Sequence, residues 1–459
     1  MKRVSTLLVF ALLFALPALS ACGAAEPPAQ TSVAAEITDT PLLSLGGCSV
    51  RADAAVLDLS GRDFSPALLI ENAPLLTSLS ELRLGVTALS GDELQALCAA
   101  FPGVDIRWQL AFNDSVVDSD AETLDLSALR AEQLAEAAAL LRRLPSLRTV
   151  ELRPAEGCTR LTPFEVQQLA DAAPEARFLC RFELFGQTAD GDTRELRYAD
   201  QPLGDACIPL LRAALPFLPS LELLRLQDCA IEDNDAMAAL RDDFPAVKIV
   251  WSIRIAGFRF MTDTTLVNAA PILTDENVAL LRYMNDVLYL DVGHNRSLTS
   301  LEFVRHFPRL QVAIFSITRI TDLSPLADCP ELEYLELIST DASDLSPLSG
   351  LTKLRYLNLG YMRNLTDLSP LYDMKELTQV RICGTTFAHI SQADVDRLQE
   401  ELPDTFVSAS GGSATHAGLW RFQADGTYTE RYALLREQMR YDIIDWMQRL
   451  SNSPSGEER

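Results

Sequence analysis

The side chains that could carry out catalysis or bind a metal are few, and their spacing matches no known motif. The four histidines are His294, His306, His389 and His416. None belongs to an H-E-x-x-H or comparable spacing, and no G-x-S-x-G elbow or phosphate-binding glycine loop occurs. Asp118-Ser119-Asp120 and Asp190-Gly191-Asp192 lack the twelve-residue ligand pattern of an EF-hand and are interpreted as solvated turns. We therefore predict no catalytic residue, no metal site and no cofactor.

The first 21 residues have the composition of a secretory signal. Lys2 and Arg3 precede ten uninterrupted apolar residues from Leu7 to Leu16, and Pro17 ends the run. Ten apolar residues are too few to span a bilayer, but they match the core of an export signal. No later segment of the sequence reaches the length of a transmembrane helix. The rest of the chain is therefore expected to lie outside the membrane.

A cysteine follows this segment in a specific context. Leu19-Ser20-Ala21-Cys22 places a leucine three residues before the cysteine, with small residues between them. The tetrapeptide resembles the lipobox of bacterial lipoproteins. The resemblance implies that the peptide is cut before Cys22 and that its thiol carries a lipid. That lipid would anchor the chain to the outer face of the cytoplasmic membrane, or another envelope membrane, at the cell surface. An ordinary secretory signal with an incidental cysteine is the alternative.

The remaining eight cysteines are Cys48, Cys98, Cys158, Cys180, Cys207, Cys229, Cys329 and Cys383. An even number in an exported chain permits disulfide bonds, although the sequence alone does not fix their pairing. However, the repeats described below place Cys98, Cys180 and Cys229 in the core. This placement favours buried thiols that pack as small apolar residues.

The chain is strongly acidic. It carries 64 Asp and Glu residues against 39 Lys and Arg, a net charge of −25. Such a surface repels phosphate backbones, so we predict no nucleic-acid partner. Solubility is the alternative explanation of the charge.

Internal repeats indicate which elements position the remaining side chains. The segments LSPLADCPELEYLEL, LSPLSGLTKLRYLNL and LSPLYDMKELTQVRI begin at Leu323, Leu345 and Leu368, which are 22 and 23 residues apart. Each contains an L-x-L pair, or its equivalent, whose two apolar side chains point the same way along a strand. One unit cannot bury this apolar side alone, whereas stacked units build a continuous core.

These repeats resemble leucine-rich repeats, and their DLSPL segments resemble the internalin type. The turn position that carries Asn or Cys in that family is only partly matched. Asn295 and Cys229 fit, Thr318 and Thr340 replace them, and Met362 departs from the pattern. The resemblance therefore implies the fold but not a regular buried asparagine ladder. Internalin-type proteins bind other proteins, so the resemblance also implies a protein partner.

The front half of the chain repeats over a longer period. Pro102, Pro174 and Pro245 are 72 and 71 residues apart, and each follows a helix-like run. Six residues after each proline stand Trp108, Cys180 and Trp251, respectively. We predict three units of about 70 residues, each built of irregular leucine-rich repeats. The segments after these three residues are predicted to form short strand connections, and both tryptophans are predicted to pack in the core.

Near the end of the chain, Ile390 to Leu402 has the pattern of a helix that caps the last repeat. Ser408 to Gly418 has the composition of a flexible linker. A helical stretch follows in which one apolar stripe contains Leu435, Met439, Ile443, Trp446 and Leu450. Two interpretations remain open: the helix docks on the repeats, or it binds a partner or a second copy of the chain.

The strand residues that alternate with core leucines are predicted to line the concave face of the repeats. Stacking places equivalent positions side by side, at the usual strand spacing of ~4.8 Å. The resulting candidate binding face consists of Tyr289, Asp291, Val312, Ile314, Tyr334, Glu336, Ile338, Tyr356, Asn358, Gln379 and Arg381. Exposed aromatic side chains beside polar groups are typical of interface anchors. A tyrosine ladder that only stiffens the sheet is the alternative.

The predicted fold class is α/β: a leucine-rich-repeat solenoid with a parallel β-sheet on its concave face, and helices and irregular turns on its convex face. The predicted segments are a signal peptide (1–21), a flexible tether (22–41), irregular repeats (42–264), regular repeats (265–389), a C-terminal cap (390–407), and a linker with an amphipathic helix (408–459). The predicted function is non-enzymatic binding of a protein partner outside the cytoplasmic membrane. One alternative is an envelope structural or assembly role through the C-terminal helix. A more distant one is a surface enzyme with an unrecognised carboxylate site.

Overall fold

The computed structural model describes residues 40–384, 389–409 and 412–442. Cys22, the signal segment and residues 443–459 lie outside these ranges. The described residues form two compact units. The N-terminal unit holds the residues up to Gly85 together with Gln95–Ile106, and the main unit holds Val86–Leu94 and the residues from Arg107 onward. Within the described ranges, no helix combines the length and apolar character needed to cross a membrane.

The N-terminal unit contains two strand pairs. An antiparallel hairpin joins β1 (Leu42–Ser44) to β2 (Ser49–Arg51), and a parallel pair joins β3 (Val56–Asp58) to β4 (Glu81–Val86). Helix α1 (Pro66–Glu71) lies between β3 and β4 in sequence. It begins where the Ser65 hydroxyl accepts a hydrogen bond from the backbone of Leu68 and where proline occupies the first turn.

The main unit begins with repeating groups of strands and helices that follow the long sequence period. The residues of α2 (Gly91–Ala100) and β5 (Asp105–Phe112) are divided between the two units, and β5 forms an antiparallel hairpin with β6 (Ser115–Asp118). The next group consists of β7 (Thr123–Asp125), α3 (Leu134–Leu141), β8 (Thr149–Glu151), α4 (Pro163–Ala172), β9 (Arg177–Leu179), β10 (Arg181–Leu184) and β11 (Gln187–Asp190). The one after it consists of β12 (Glu195–Ala199), α5 (Cys207–Ala214), β13 (Leu223–Gln227), α6 (Asn234–Asp243), β14 (Lys248–Ile255) and β15 (Phe258–Met261). Strands β7, β8 and β9 pair in parallel, as do β12, β13 and β14, and each group ends in an antiparallel hairpin.

The hairpins confirm the short strand connections predicted after Trp108, Cys180 and Trp251. Each has a two-residue loop, and in two of them both loop residues have positive φ: Phe185-Gly186 and Ala256-Gly257. That conformation matches the twist of paired strands and favours glycine at the second position.

Both tryptophans are buried, as predicted. The indole N–H of Trp108 donates to the carbonyl of Arg143 over 3.0 Å, and that of Trp251 donates to the Asn234 side chain over 2.8 Å. Each large ring therefore packs in the core without leaving its polar atom unpaired.

The regular repeats form a parallel sheet that contains seven strands within the described ranges. In order these strands are β16 (Leu266–Asn268), β17 (Tyr289–Asp291), β18 (Val312–Ile314), β19 (Tyr334–Glu336), β20 (Tyr356–Asn358), β21 (Gln379–Ile382) and β22 (Phe406–Ala409). Short 3-10 helices of three to six residues connect the strands from β16 to β21, at Val278–Tyr283, Glu302–His306, Ser324–Asp328, Ser346–Leu348 and Ser369–Leu371.

The DLSPL segments explain why the connections are so short. The Asp344 carboxylate accepts hydrogen bonds from the backbone N–H and hydroxyl of Ser346, both over 2.8 Å. The following proline is suited to the first turn of a helix, and Leu348 then enters the core. Asp322 and Asp367 make the same two contacts in the neighbouring repeats.

The turn positions behave as the mixed sequence pattern predicts. The Asn295 side chain is buried, accepts from the backbone of Leu273 and donates to the carbonyls of Ala269 and Val292. At the equivalent positions the hydroxyls of Thr318 and Thr340 donate to carbonyls three residues earlier. Asn295 therefore bonds to the preceding repeat, whereas Thr318 and Thr340 satisfy their turns locally, and no continuous asparagine ladder connects these three positions.

The predicted helical cap is a helix, but it does not end the sheet. Helix α7 (Gln392–Glu401) begins at a Ser391–Asp394 capping box, and β22 then pairs in parallel with β21. The segment thus adds a further strand, and the edge that it was expected to cover is extended. Part of the predicted linker, Ser408 and Ala409, belongs to this strand.

The thiols are not paired with one another: the eight cysteines of the described ranges are free. Cys180 and Cys229 are buried, as their repeat positions predict, and so are Cys207, Cys329 and Cys383. Cys98 is exposed, so the prediction that it packs in the core is wrong. It lies near the end of α2, on a side that does not face the core.

Candidate functional site: the cleft beneath the C-terminal segment

The candidate binding face has the predicted register. Tyr289, Val312, Tyr334, Tyr356 and Gln379 lie side by side on consecutive strands. Asp291, Ile314, Glu336, Asn358 and Arg381 form a second row in the same way. The parallel pairing of equivalent repeats explains both rows, because every strand begins at the same position of its repeat.

These rows are covered by residues 412–442, which we call the C-terminal segment. It includes helix α8 (Glu430–Gln438), which begins where the Thr429 hydroxyl accepts from the backbone of Tyr432. The segment and the sheet share one apolar cluster, whose buried members are Val312, Ile314, Tyr334, Trp420, Tyr432, Leu435 and Met439. Tyr334 is only 2% exposed. The expectation of an exposed aromatic row is therefore wrong, because the chain folds back over it.

The C-terminal segment also bonds to the far strands of the sheet. The Asn358 amide donates to the Ala414 carbonyl over 3.0 Å, and the Arg381 guanidinium donates to the Ser413 carbonyl over 3.0 Å. The Gln379 amide donates to the Gly418 carbonyl over 3.1 Å. Ile338 packs with Ala414. Tyr289 and Tyr356 stay partly buried at the margin of the apolar cluster.

Glu336 is the main polar connection between the sheet and the segment. Its carboxylate is fully buried and forms an ion pair with Arg421 at 2.8 Å. It also accepts from the Trp420 indole N–H over 2.7 Å, the Tyr334 hydroxyl over 2.5 Å and the Ser316 hydroxyl over 3.3 Å. A buried charge with this many donors, one of them charged, is well compensated.

Asp291 has a different environment on β17. It accepts from the Tyr441 hydroxyl over 2.6 Å and from the Gly293 backbone over 2.9 Å. Both donors are neutral, and in the described ranges Asp291 forms no ion pair. Loss of solvent raises the pKa of Asp291, and the hydrogen bond from Tyr441 opposes that rise.

A cleft of about 540 Å³ lies between the sheet and the C-terminal segment. Its volume falls within the range of small-molecule and peptide-anchor sites, about 300–1,000 Å³. The polar side chains on its wall belong to Asn268, Asp291, His294, Ser316, Glu336, Ser339, Tyr361, Ser413, Thr415, Arg421, Arg436 and Tyr441. Its apolar wall is formed by Ala270, Ile314, Ile317, Ile338, Ala414 and Tyr432.

The cations at the cleft are already matched by acids. Arg421 pairs with Glu336, and Arg436 pairs with Asp442. Burial lowers the pKa of His294, which favours its neutral form at neutral pH. Among the described residues, no group of three or more His, Cys, Asp or Glu side chains is arranged to hold a metal ion.

Of the residues that line the cleft, the predicted binding face contains Asp291, Ile314, Glu336 and Ile338, and it contains none of those that the C-terminal segment contributes. Trp420, Arg421, Tyr432 and Tyr441 were not singled out, because they follow a segment with the composition of a linker. One signal was present: residues 420–441 contain five aromatic side chains in 22 positions, whereas aromatic residues make up 7% of the chain. Such a density predicts a packed segment rather than a solvated tail.

Comparison with known proteins gives a limited result. No family model matches the sequence, and no curated protein matches it. Similar solved structures include internalin C2 of Listeria monocytogenes, which is 20% identical over 33% of this chain and 75% of that one, with a TM-score of 0.23. A second internalin of L. monocytogenes is 15% identical over 80% and 86% of the two chains, with a TM-score of 0.24. A leucine-rich-repeat protein of Leptospira interrogans is 17% identical over 78% and 96%, with a TM-score of 0.27. The repeat assignment therefore rests on the repeats and strand register of this chain itself.

Proposed function

We propose that the protein is an exported, lipid-anchored binding protein that holds part of a protein partner in the cleft beneath its C-terminal segment. The observation that carries the proposal is the cleft itself, which combines an apolar wall with convergent polar groups on a rigid parallel sheet. The C-terminal segment covers the aromatic row, so the cleft is where a ligand can reach the strand positions of these repeats.

The proposed location rests on the sequence. The apolar run from Leu7 to Leu16 and the tetrapeptide that ends at Cys22 support export and lipid attachment. A lipid on Cys22 would hold the repeats at the outer face of the cytoplasmic membrane or another envelope membrane.

We propose a non-catalytic role because of how the acids at the cleft are used. Asp291 and Glu336 both line it, which is the arrangement that an enzyme with a carboxylate pair would need. Glu336, however, is bound by Arg421, Trp420 and Tyr334. A carboxylate whose oxygens are occupied by an ion pair and several hydrogen bonds has little capacity left to contact a substrate, so its contacts favour a structural role.

The alternative role for the C-terminal helix receives less support. In the described ranges, α8 directs Tyr432 and Leu435 into the cluster on the sheet, and Met439 follows them there. These apolar side chains are therefore used within the chain. Ile443, Trp446 and Leu450 of the same predicted stripe lie outside the described residues.

A cleft-filling substitution tests the proposal. Cross-linking on intact cells followed by mass spectrometry would first identify proteins bound to the full-length chain. Thr415 lines the cleft and is partly exposed, so Thr415→Trp should fill it and reduce recovery of a true partner at least tenfold. Thr352→Trp adds the same ring at an exposed turn far from the cleft along the chain and should leave recovery unchanged. Equal recovery with both variants would contradict the proposal.

A further inference from the structure

We infer, building on the proposed binding function, that the cleft takes a primary ammonium group and that Asp291 is its counter-ion. The sources of such a group are the free amino end of a peptide or protein, and a small aliphatic amine. The chemistry is shared: three N–H donors on a compact positive charge attached to a short carbon chain.

The first argument is that, among the described residues, Asp291 forms no ion pair, although the charge of Arg421 opposes the rise in its pKa. Its two bonded donors are the Tyr441 hydroxyl and the Gly293 backbone, and both are neutral. Glu336, two strands away, forms an ion pair with Arg421 and also accepts hydrogen bonds from neutral donors. The two acids stand at the same position of their repeats, yet the C-terminal segment supplies a cation to only one of them. Asp291 is only partly exposed in the cleft, and a carboxylate that loses water without gaining a cation is costly, so such groups persist mainly where function requires them.

The second argument is the charge balance of the cleft. The charged side chains that line the cleft, Asp291 and Glu336 against Arg421 and Arg436, sum to zero, and Asp442, which pairs with Arg436 outside the lining and is 68% exposed, brings the sum to −1. One bound cation would bring this sum to zero. At longer range the chain carries a net charge of −25, which raises the local concentration of cations and lowers that of anions.

The third argument is geometric and distinguishes an ammonium from a guanidinium. Each oxygen of Asp291 already accepts one hydrogen bond, Oδ1 from Gly293 and Oδ2 from Tyr441. A guanidinium binds a carboxylate best through both oxygens at once, in one plane. An ammonium is a point charge that needs only one of the remaining lone pairs. Its other two donors can bond to hydroxyl groups, and Ser316 and Ser339 lie on the same wall.

The remaining walls suit the carbon chain of such a ligand. Ile314 and Ile338 offer aliphatic contact on the sheet side, and the Tyr432 ring lies on the side of the C-terminal segment. An aromatic face near a cation adds attraction beyond the contact area. A volume of about 540 Å³ accommodates the first two or three residues of a peptide, or a diamine of a few carbons.

Binding of three small probes to the full-length protein tests the inference. Calorimetry would compare trialanine, N-acetyltrialanine and 1,4-diaminobutane at up to about 10 mM, which detects ligands with a Kd of about 1 mM. We expect trialanine to bind and its acetylated form to bind at least tenfold more weakly, because acetylation removes the charge and two donors. Binding of diaminobutane as well would show that a free amine is sufficient, and its failure to bind would assign the site to peptide amino ends.

A matched pair of variants then places the ligand. Asp291→Asn keeps the shape of the side chain and can still accept from Gly293, so the fold is retained. The Asp291→Asn substitution should weaken the binding of trialanine at least tenfold. Asp344→Asn makes the same change of charge on an exposed turn and should leave the affinity unchanged.

Three outcomes would overturn the inference: no amine binds, trialanine and its acetylated form bind equally, or both variants behave alike. None of these affects partner recovery with Thr415→Trp, which tests the proposed function separately. A partner lost with Thr415→Trp but retained with Asp291→Asn would keep the cleft as the binding site and exclude the ammonium.

Discussion

Glu336 shows how much of the cleft depends on a single buried charge. Replacement by Gln would leave the Arg421 guanidinium without its counter-ion in a site where its side chain is 23% exposed. We expect Glu336→Gln to lower the free energy of unfolding by about 3 kcal/mol, because removing one partner of a buried ion pair leaves the other charge buried without a counter-ion. Urea denaturation followed by circular dichroism measures this change.

An exposed ion pair in the same repeats provides the control. Glu331 pairs with Lys353 at 2.5 Å, and both side chains are well exposed. Glu331→Gln should therefore cost less than about 1 kcal/mol. Equal losses for the two Glu→Gln variants would show that Glu336 does not act as a buried connection between the sheet and the segment.

Asp291 predicts a dependence of stability on pH. Its folded-state pKa is raised above the ordinary value of 3.8, so the folded protein retains a proton that the unfolded chain releases. The stability that this group contributes is fully present below pH 3.8 and is lost as the pH rises through its folded-state pKa. Glu336, Arg421, Tyr441 and His294 face the same region, and Glu336 also raises the pKa whereas Arg421 lowers it.

Asp291→Asn removes this titration. Relative to the wild-type protein, we expect the variant to gain stability as the pH rises above 3.8, as measured by thermal unfolding from about pH 3 to about pH 8. Asp344→Asn provides the comparison, because the pKa of Asp344 is lowered by its bonds to Ser346 and the sign of its contribution is opposite. A constant difference between Asp291→Asn and wild type at every pH would exclude a raised pKa for Asp291.

The residues of the sheet face could be predicted, but their environment could not. Repeat spacing alone placed Tyr334 beside Tyr356, and their ring centroids lie 6.1 Å apart. Burial of Tyr334 depends on Trp420 and on Arg431, whose guanidinium lies 4.7 Å from the Tyr334 ring centre. Those contacts come from a segment outside the repeats, and no periodicity relates it to them.

At the scale of the element, α8 provides the clearest prediction. Leu435 is buried against the sheet, whereas its neighbour Leu434 is 48% exposed. Leu435→Asp would place a charge in the apolar cluster and should detach the C-terminal segment, at a cost of at least about 3 kcal/mol. Leu434→Asp makes the same substitution one position earlier and should have little effect.

Hydrogen exchange reports whether the segment detaches. Amides of residues 429–439 should lose protection in Leu435→Asp, while strands of the sheet such as β18 and β19 remain protected, because their hydrogen bonds lie between repeats. Loss of protection throughout the sheet would instead mean that the segment and the repeats unfold as one unit.

Elements whose apolar residues recur at a regular spacing could be predicted from the sequence, whereas short strands without such a spacing could not. Helix α7 follows from the apolar positions between Ile390 and Leu402 and from the Ser391–Asp394 cap. Strand β22 contains Ser and Ala at its end, a composition shared with linkers. It forms a strand because the open edge of β21 supplies backbone partners, and that requirement belongs to the sheet.

At the scale of the whole molecule, the repeat architecture could be predicted because its period is short and its core positions are regular. The 22-residue spacing of the DLSPL segments requires equivalent strands to pair in parallel, and they do. The relation of Tyr441 to Asp291, separated by 150 residues, follows from no such rule. The contact between Tyr441 and Asp291 depends on the complementarity in shape and charge between the C-terminal segment and the surface on which it packs.

Membrane attachment is the prediction that belongs to the full chain. Cys22→Ala should shift the protein from the membrane fraction to the soluble fraction of cells that express it, and should abolish incorporation of labelled palmitate, because the anchor requires the thiol. Cys98→Ala changes an exposed cysteine of the folded part and should have no effect on either readout. A Cys22→Ala protein that stays with the membrane would contradict lipid attachment at this position.

The C-terminal segment has a consequence for how this protein can evolve. In an open array each repeat contacts only its neighbours, so repeats can be gained or lost by duplication and deletion. Here the segment is bonded to β17 through Tyr441 and to β21 through Ser413. These strands are four spacings apart, about 19 Å at ~4.8 Å per strand. Loss of one repeat would shorten that span by a full spacing while the segment keeps its length. The fixed length of the segment therefore constrains the number of repeats between its two attachment points. Related proteins that retain the segment should vary in sequence but not in the number of repeats.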